Sequence, residues 1–316
     1  MTTPQIRPFR PEDRAAIIEF QNRDRPPHLQ ETVAEWERLD ARQSAENVFL
    51  RLCIGDPAVA FLGIRDLNTT AYRIPGTCGF TLSVALEHRR QGFGGALYEK
   101  AVTFARDRGA ARLRSHFRLL HSIEPAVQFL ESRGFVETDR ELSVLLDLTT
   151  FDPAPYARPL PDGLRLRSLA DAGDTEENRR KVYVLDGLIH RDVPTHDTLP
   201  ERPPFEEWNK MLSGPEFDAN AVVLAENADG DWVGMSIMEF QEHSTIGWTD
   251  ITGVAREYRG QGVALALKLK ALEVAKARGC TLILTENHED NAPMRAINKK
   301  LGFTPDAPGV TYVKTI

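Results

Sequence analysis

Cysteine is scarce in this 316-residue chain: Cys53, Cys78 and Cys280 form an odd set with no Cys-x-x-Cys spacing, which argues against a disulfide framework and a thiolate metal site. Long apolar runs are missing too. No stretch approaches the roughly 18 apolar residues of a membrane span, and Met1 to Arg10 carry no apolar signal core. Neither insertion nor export is expected, and the expected location is the cytoplasm. Positive charge is in deficit, 39 Lys and Arg against 46 Asp and Glu, a net charge of −7. A phosphate backbone would be repelled over most of such a surface, so no nucleic-acid partner is expected and small cationic partners fit better.

What is present is ordinary globular composition, 41% hydrophobic and 27% charged, in a chain long enough for two cores. The segment Thr149–Gly163 carries Pro153, Pro155, Pro159 and Pro161. It suits an extended linker, and the expected division is a domain over 1–150, a linker over 151–163 and a domain over 164–316. Both halves restart alike. Gln5–Arg10 precedes a helix-like stretch from Asp13, and Leu164–Leu169 precedes another from Asp174.

The halves also match at a fixed offset of 170. Arg89, Arg90, Gln91, Gly92, Phe93 and Gly94 lie over Arg259, Gly260, Gln261, Gly262, Val263 and Ala264, and Arg108-Gly109 lies over Arg278-Gly279. Between them Leu97, Ala101, Phe104 and Ala105 align with Leu267, Ala271, Val274 and Ala275, one buried helical face in each half. Gly109 and Gly279 stand where a left-handed helix cap belongs. Apolar stretches at Cys78–Leu86 and Ile246–Ala255 read as strands before the loops, and Leu113–Leu119 and Thr281–Thr285 as strands after the helices. Final strands are expected at Glu141–Leu148 and Val310–Lys314. The fold class is a mixed α/β layer, written twice.

A strand entering Arg-x-x-Gly-x-(Gly/Ala) and then a helix gathers free backbone N–H groups where the helix dipole favours an anion. Gly92 and Gly262 let a phosphate approach, while Arg89 and Arg259 add fixed charge. An ordinary strand–turn–helix connection has the same outline, but two in register favour a phosphate cradle. No Gly-Lys-Ser/Thr occurs there, and Leu97 stands where a third dinucleotide-loop glycine would be, so ATP and NAD are poorly supported.

Both halves resemble the GNAT superfamily of acyl-CoA-dependent N-acyltransferases, whose signature is Q/R-x-x-G-x-G/A after the fourth strand. The second half matches further, through Thr285-Glu286-Asn287, Asn291, Met294, Asn298 and Leu301-Gly302-Phe303. The resemblance implies two tandem GNAT folds with acetyl-CoA as cosubstrate and no metal. Thr252, Gly253 and Val254 would bond the pantetheine arm, Arg259 to Ala264 the diphosphate, and Asn287 and Asn291 the cofactor. In the first half Arg89 to Gly94 would do the same. An amine attacks the thioester directly, with no acyl-enzyme, and fourth-strand N–H groups receive the polarised oxygen.

An alkyl ammonium with pKa near ~10 costs roughly 4 kcal/mol to deprotonate at pH 7, so a carboxylate is expected near the strands. Strand alternation puts Trp248, Asp250 and Thr252 on one face, with Asp250 the strand's one carboxylate. Asp250 is the first candidate base, directly or through water. Its alternative role is pairing with an Arg or a backbone N–H. Glu239 on the preceding strand is the second candidate. Many family members carry Tyr where this chain has Asn298, which cannot supply a proton to the leaving thiolate. Water, a phenol such as Tyr312, or unaided departure remain open.

The first half lacks these polar groups. Phe80 stands at the position of Asp250, Phe117 at that of Asn287 and Ile123 at that of Asn291. A degenerate or non-catalytic first domain, binding an acyl-CoA or only keeping the fold, and a catalytic second domain are expected. Residues 205–250 hold ten acids and one base, a balance of −9, against −1 for residues 35–80. That favours a small cationic amine acceptor. His190 and His196 lack a third ligand for a metal. Asp192 or Asp197 could touch substrate, and His288 is a further candidate base or a solvated loop residue. The alternatives are an acyl-CoA-binding sensor or scaffold, or a protein N-acetyltransferase. Monomer or homodimer are both compatible with the sequence.

Overall fold

The structure is a computed structural model and describes residues 4–41, 43–120, 123–195, 198–212, 217–240 and 244–316. His196, Asp197, Glu216 and Glu242 lie outside them. In chain order the regular elements begin with β1 (Ile6–Pro8), α1 (Asp13–Asn22), α2 (Val33–Ala41), β2 (Phe49–Ile54), β3 (Ala60–Asp66) and β4 (Thr77–Val84). Next come α3 (Phe93–Asp107), β5 (Arg112–Arg118), α4 (Glu124–Glu131), β6 (Val136–Asp147), β7 (Arg165–Ser168), α5 (Leu169–Ala172) and α6 (Glu176–His190). The chain closes with α7 (Phe205–Met211), β8 (Val222–Glu226), β9 (Trp232–Phe240), β10 (Ile246–Val254), α8 (Val263–Ala277), β11 (Leu282–His288), α9 (Ala292–Lys300), β12 (Thr304–Pro305) and β13 (Gly309–Thr315). No helix among the described residues is long and apolar enough to cross a membrane.

Two compact units result. The first comprises Met1–Arg140, His196–Arg202 and Gly309–Ile316, the second Glu141–Thr195 and Pro203–Pro308. In the first, the strands run β1-β2-β3-β4-β5-β13, antiparallel except for β4 beside β5. One sheet face carries Leu52, Ile54, Leu62, Ile64, Cys78 and Phe80 onto α3, whose Leu97, Ala101 and Ala105 are fully buried. Each large aliphatic side chain buried this way contributes roughly 1.5–3 kcal/mol.

In the second unit the order is β11-β10-β9-β8-β7, with Glu141–Asp147 of β6 antiparallel to β11 and β10 parallel to it. Every side chain of β8 is buried. Its Glu226 tolerates this because β7 places Arg165 and Arg167 against the carboxylate. Helix α8 buries Leu267, Ala271 and Ala275, the face expected from the offset of 170.

Two expectations are corrected. Strand β13 belongs to the first unit, where Thr311 aligns with His116 of β5 and Val310 and Tyr312 enter the core. Glu141–Asp147 belongs instead to the second, with Leu146 and Leu148 in its core. Apolar alternation marks a strand but leaves its partner open. Thr149–Gly163 holds no strand or α-helix, and one 3-10 turn at Ala154–Tyr156. Phe151 and Tyr156 stack at 5.9 Å and pack on the second unit's core, which the proline run concealed.

Candidate active site

Each unit contains the same cradle, built residue for residue at the offset of 170. Helix α3 begins after Gly92 at φ 88° and α8 after Gly262 at φ 84°, a conformation that favours glycine. Open space surrounds the position a Cβ would take at either glycine. Arg90 and Gly260 share a left-handed backbone, φ 63° and 74°. Gln91 and Gln261 close the turns by donating to the carbonyls of Glu87 and Glu257 at 3.3 and 3.1 Å. Arg89 and Arg259 donate through Nε to the last strand carbonyls, Val84 at 3.2 Å and Val254 at 2.8 Å. These residues, foreseen as phosphate contacts, thus first shape the loop, and the free N–H groups at the helix start remain for an anion. In the first unit the terminal nitrogens of Arg89 have no partner among the described residues. In the second, Nη2 of Arg259 reaches Asp192 at 2.5 Å, and Arg256 holds the same carboxylate. The two guanidinia hold the Asp192 carboxyl well below the usual range.

Beside each cradle the parallel strands part. Pairing of β10 with β11 ends at Thr249 and Thr285, although both strands continue. Pairing of β4 with β5 ends at Gly79 and Arg114. The second unit differs in one respect. The β10–β9 register shifts between Thr249 and Ile251, so Asp250 is the extra residue of a bulge, whereas β4 pairs with β3 without interruption through Phe80.

The bulge revises the expected alternation. Thr252 turns to the α8 side, where its hydroxyl meets that of Ser236 at 2.8 Å, while Gly253 faces Ile189 of α6. Asp250 faces α6 as well, among Glu239, His190 and Asp186. Asp250 is exposed by surface area, although protein atoms crowd around its carboxyl group. That desolvation, followed by the negative charge of Glu239, pushes its pKa up to about 7 against a smaller opposing effect of His190. His190 Nδ1 lies 2.9 Å from Oδ1 of buried Asp186. Burial alone would lower the His190 pKa, but the bond and charge of Asp186 outweigh it and raise it. Asp186 was missed in the sequence. Its i,i+4 spacing to His190 on an amphipathic helix was the available signal.

Other candidates take structural positions. Asn298 is buried and donates to Asn287 Oδ1 at 2.5 Å, and its own Oδ1 is buried with no hydrogen-bond partner among the described residues. Asn291 caps α9 by accepting from the Met294 N–H at 3.3 Å. His288 is a buried strand residue, with Nδ1 accepting from the Asp290 N–H at 3.1 Å, so the solvated-loop reading is corrected. Tyr312 lies in the first unit, stacked on Phe117 and donating to Glu131 and Glu137. Burial and those carboxylates push its pKa up to about 12. Of the acids in 205–250, Glu206, Asp218 and Glu226 are neutralised by Arg180, Arg278 and the β7 arginines. Glu207, Asp229 and Asp231 form no ion pair among the described residues, and the carboxylates gathered beside α6 are Asp250, Glu239 and Asp186, the last paired with His190. Among the described residues no group of three or more His, Cys, Asp or Glu could hold a metal.

Two folds with parted parallel strands, each entering a helix through such a glycine loop, have the architecture of the N-acetyltransferase class. The chain belongs to the acetyltransferase (GNAT) family, whose pattern matches residues 14–135 and again 185–303. It is 30% identical over 236 residues to the mycothiol acetyltransferase of Saccharomonospora viridis, covering 72% of this chain and 71% of that one. With the mycothiol acetyltransferase of Streptomyces bingchenggensis the identity is 27% over 286 residues, 90% and 87% of the two chains. The fold is shared with a GCN5-related N-acetyltransferase from Sphaerobacter thermophilus, TM-score 0.78 at 20% identity, covering 98% of this chain and 95% of that one. It is shared also with a tandem GNAT protein from the clavulanic acid biosynthesis pathway, TM-score 0.77 at 19% identity, covering 99% and 98%.

Proposed function

We propose that the protein transfers the acetyl group of acetyl-CoA to the primary amine of a small cationic acceptor, and that the second unit does the chemistry. The observation that carries this is Asp250, lifted out of the β10–β9 ladder where β10 leaves β11, with a pKa of about 7. A base of that pKa works near neutrality on an ammonium that must lose a proton before it attacks. Asp250 and Glu239 give the sheet face beside α6 the negative charge that draws such an acceptor in. The bulge leaves a backbone residue outside the ladder, and its N–H suits the oxygen of a polarised thioester. Acetyl-CoA supplies the activated acyl group. Val263 and Ala264, at the start of α8, offer backbone N–H groups for its diphosphate, with Arg259 beside them. Thr252, Gly253 and Val254 border the channel between the strands. Asn298 and Asn287 position the late segment as a buried pair, and the thiolate leaves by taking its proton from water.

The first unit keeps the cradle, Arg89 to Gly94, and has Phe80 where the second has Asp250. It fits an acyl-CoA-binding role without amine deprotonation. The relatives' name makes a mycothiol-type amine the first acceptor to try. Release of free CoA thiol across a panel of amines tests the reading. Turnover with a cationic amine that is lost in Asp250→Ala and in Arg259→Ala is expected, and acetyl-CoA binding without release by any amine contradicts it.

A further inference from the structure

Each unit ties the chain just past a helix, α1 or α6, to the short turn that precedes its glycine loop, and the two ties differ in one respect. In the first unit Arg23, next after α1, meets Glu87 of the turn Leu86–His88 at 2.7 Å. The loop's own Arg89 takes no part, and its one bond among the described residues goes to the Val84 carbonyl. In the second unit the tie is Asp192, two residues past α6. Its partners are Arg256 of the turn Arg256–Tyr258 and Arg259 of the loop itself. The polarity is reversed, and the tie now runs through the arginine set beside the helix start.

The second tie is also the more extensive. Arg256 takes Asp192 in a fork, Nε lying 3.0 Å from Oδ2 and Nη2 bonding Oδ1, and Nη2 of Arg259 adds a third bond at 2.5 Å. An isolated surface ion pair contributes little, whereas a forked carboxylate shared by two guanidinia is held in a defined geometry. Asp192 is fixed to α6 as well. Its N–H donates to the Ile189 carbonyl at 3.0 Å, and the next N–H, of Val193, to the His190 carbonyl at 3.2 Å. Ile189 is the residue packed on Gly253, and His190 belongs to the group beside Asp250. One carboxylate therefore joins the glycine loop to the helix end that faces Asp250 and Gly253. A diphosphate and Asp192 are anions competing for the same guanidinium. Each weakens the hold of the other, and by linkage the effect is reciprocal.

We propose that Asp192 is a positioning residue that couples the cofactor loop of the second unit to its acceptor side: coenzyme A held at Arg259 loosens the Asp192 tie and frees the end of α6 for the acceptor. The first unit, whose tie bypasses Arg89, lacks this coupling. The inference rests on the proposed role of the second loop in holding the cofactor's diphosphate. Hydrogen exchange of the full chain with and without free CoA tests it, with calorimetry on the same samples to report binding. Exchange in residues 189–195 should quicken roughly fivefold when CoA saturates the protein, while residues 20–26 of the first unit show no acceleration. Asp192→Asn should exchange at the faster rate without CoA and respond no further. Arg256→Gln, which removes the fork and keeps the bond to Arg259, should respond more than the unsubstituted protein. CoA bound with unchanged or slower exchange in 189–195 overturns the proposal, as does an equal quickening in Asp192→Asn. An absence of any binding heat with CoA has a different meaning: the loop then holds no diphosphate, and the reading beneath the proposal falls together with it.

Discussion

Arg259 is shared between two partners: its Nε holds the Val254 carbonyl at 2.8 Å and its Nη2 the Asp192 carboxylate at 2.5 Å. The first bond builds the loop proposed to hold the cofactor's diphosphate, and the second engages the same guanidinium with a carboxylate from just past the end of α6. Arg89 repeats the first bond at 3.2 Å, and its terminal nitrogens remain without a partner among the described residues.

Replacing Asp192 by Asn removes the competing anion while keeping the side chain's shape. The KM for acetyl-CoA is expected to fall severalfold at low ionic strength, with the difference shrinking as salt rises. Steady-state kinetics at two salt concentrations measures it. An increased KM would mean that Asp192 orients Arg259 for the cofactor.

Much of this arrangement was legible in the sequence, for particular reasons. The doubled loop could be placed to the residue because Gly92 and Gly262 answer to a backbone angle and because the Leu97 and Leu267 faces keep a helical period. The exchange of β13 and the end of β6 could not be read, since pairing partners far apart in the chain leave no local pattern. The bulge at Asp250 hid for a related reason. Nothing in Thr249-Asp250-Ile251 announces an extra residue, so strict alternation put Thr252 on the wrong face. The sequence supplied Asp250 and Glu239. Asp186 and His190 required knowing which face of α6 meets β10.

Gly253 is a packing requirement. A Cβ there would sit 2.1 Å from Cγ2 of Ile189. Gly253→Val should therefore destabilise the second unit by about 1–3 kcal/mol through overpacking, read by thermal or urea unfolding. Ile189→Ala in the same chain should recover part of the loss, whereas a purely additive double variant would show that the two residues do not collide.

Tyr312 provides a control. Its hydroxyl lies 3.4 Å from both Glu131 and Glu137 in the first unit. Tyr312→Phe should leave kcat for amine acetylation within about twofold. A collapse of kcat with unchanged KM would assign it a proton-transfer role that its surroundings argue against.

Lys268 of α8 is 2% exposed, with its ammonium 5.5 Å from the Phe303 ring, and burial lowers its pKa to about 8. The unfolded chain binds this proton more readily, so the penalty is full below pH 8 and fades as pH rises toward 10.5. Lys268→Met should raise stability at pH 7 by about 1–3 kcal/mol and flatten the rise in unfolding free energy between those two values. An unchanged slope would show that Lys268 does not titrate there.

The central claim is that Asp250 removes the proton from the attacking amine. The measurement that bears on it most directly is the pH dependence of kcat/KM for acetyl-CoA with a cationic amine, in the unsubstituted protein and in Asp250→Asn. The account predicts an ascending limb with a midpoint near 7. In Asp250→Asn that limb should be absent and kcat lower by roughly 10²–10⁴. An Asp250→Asn protein that keeps the same limb and a similar kcat would contradict it.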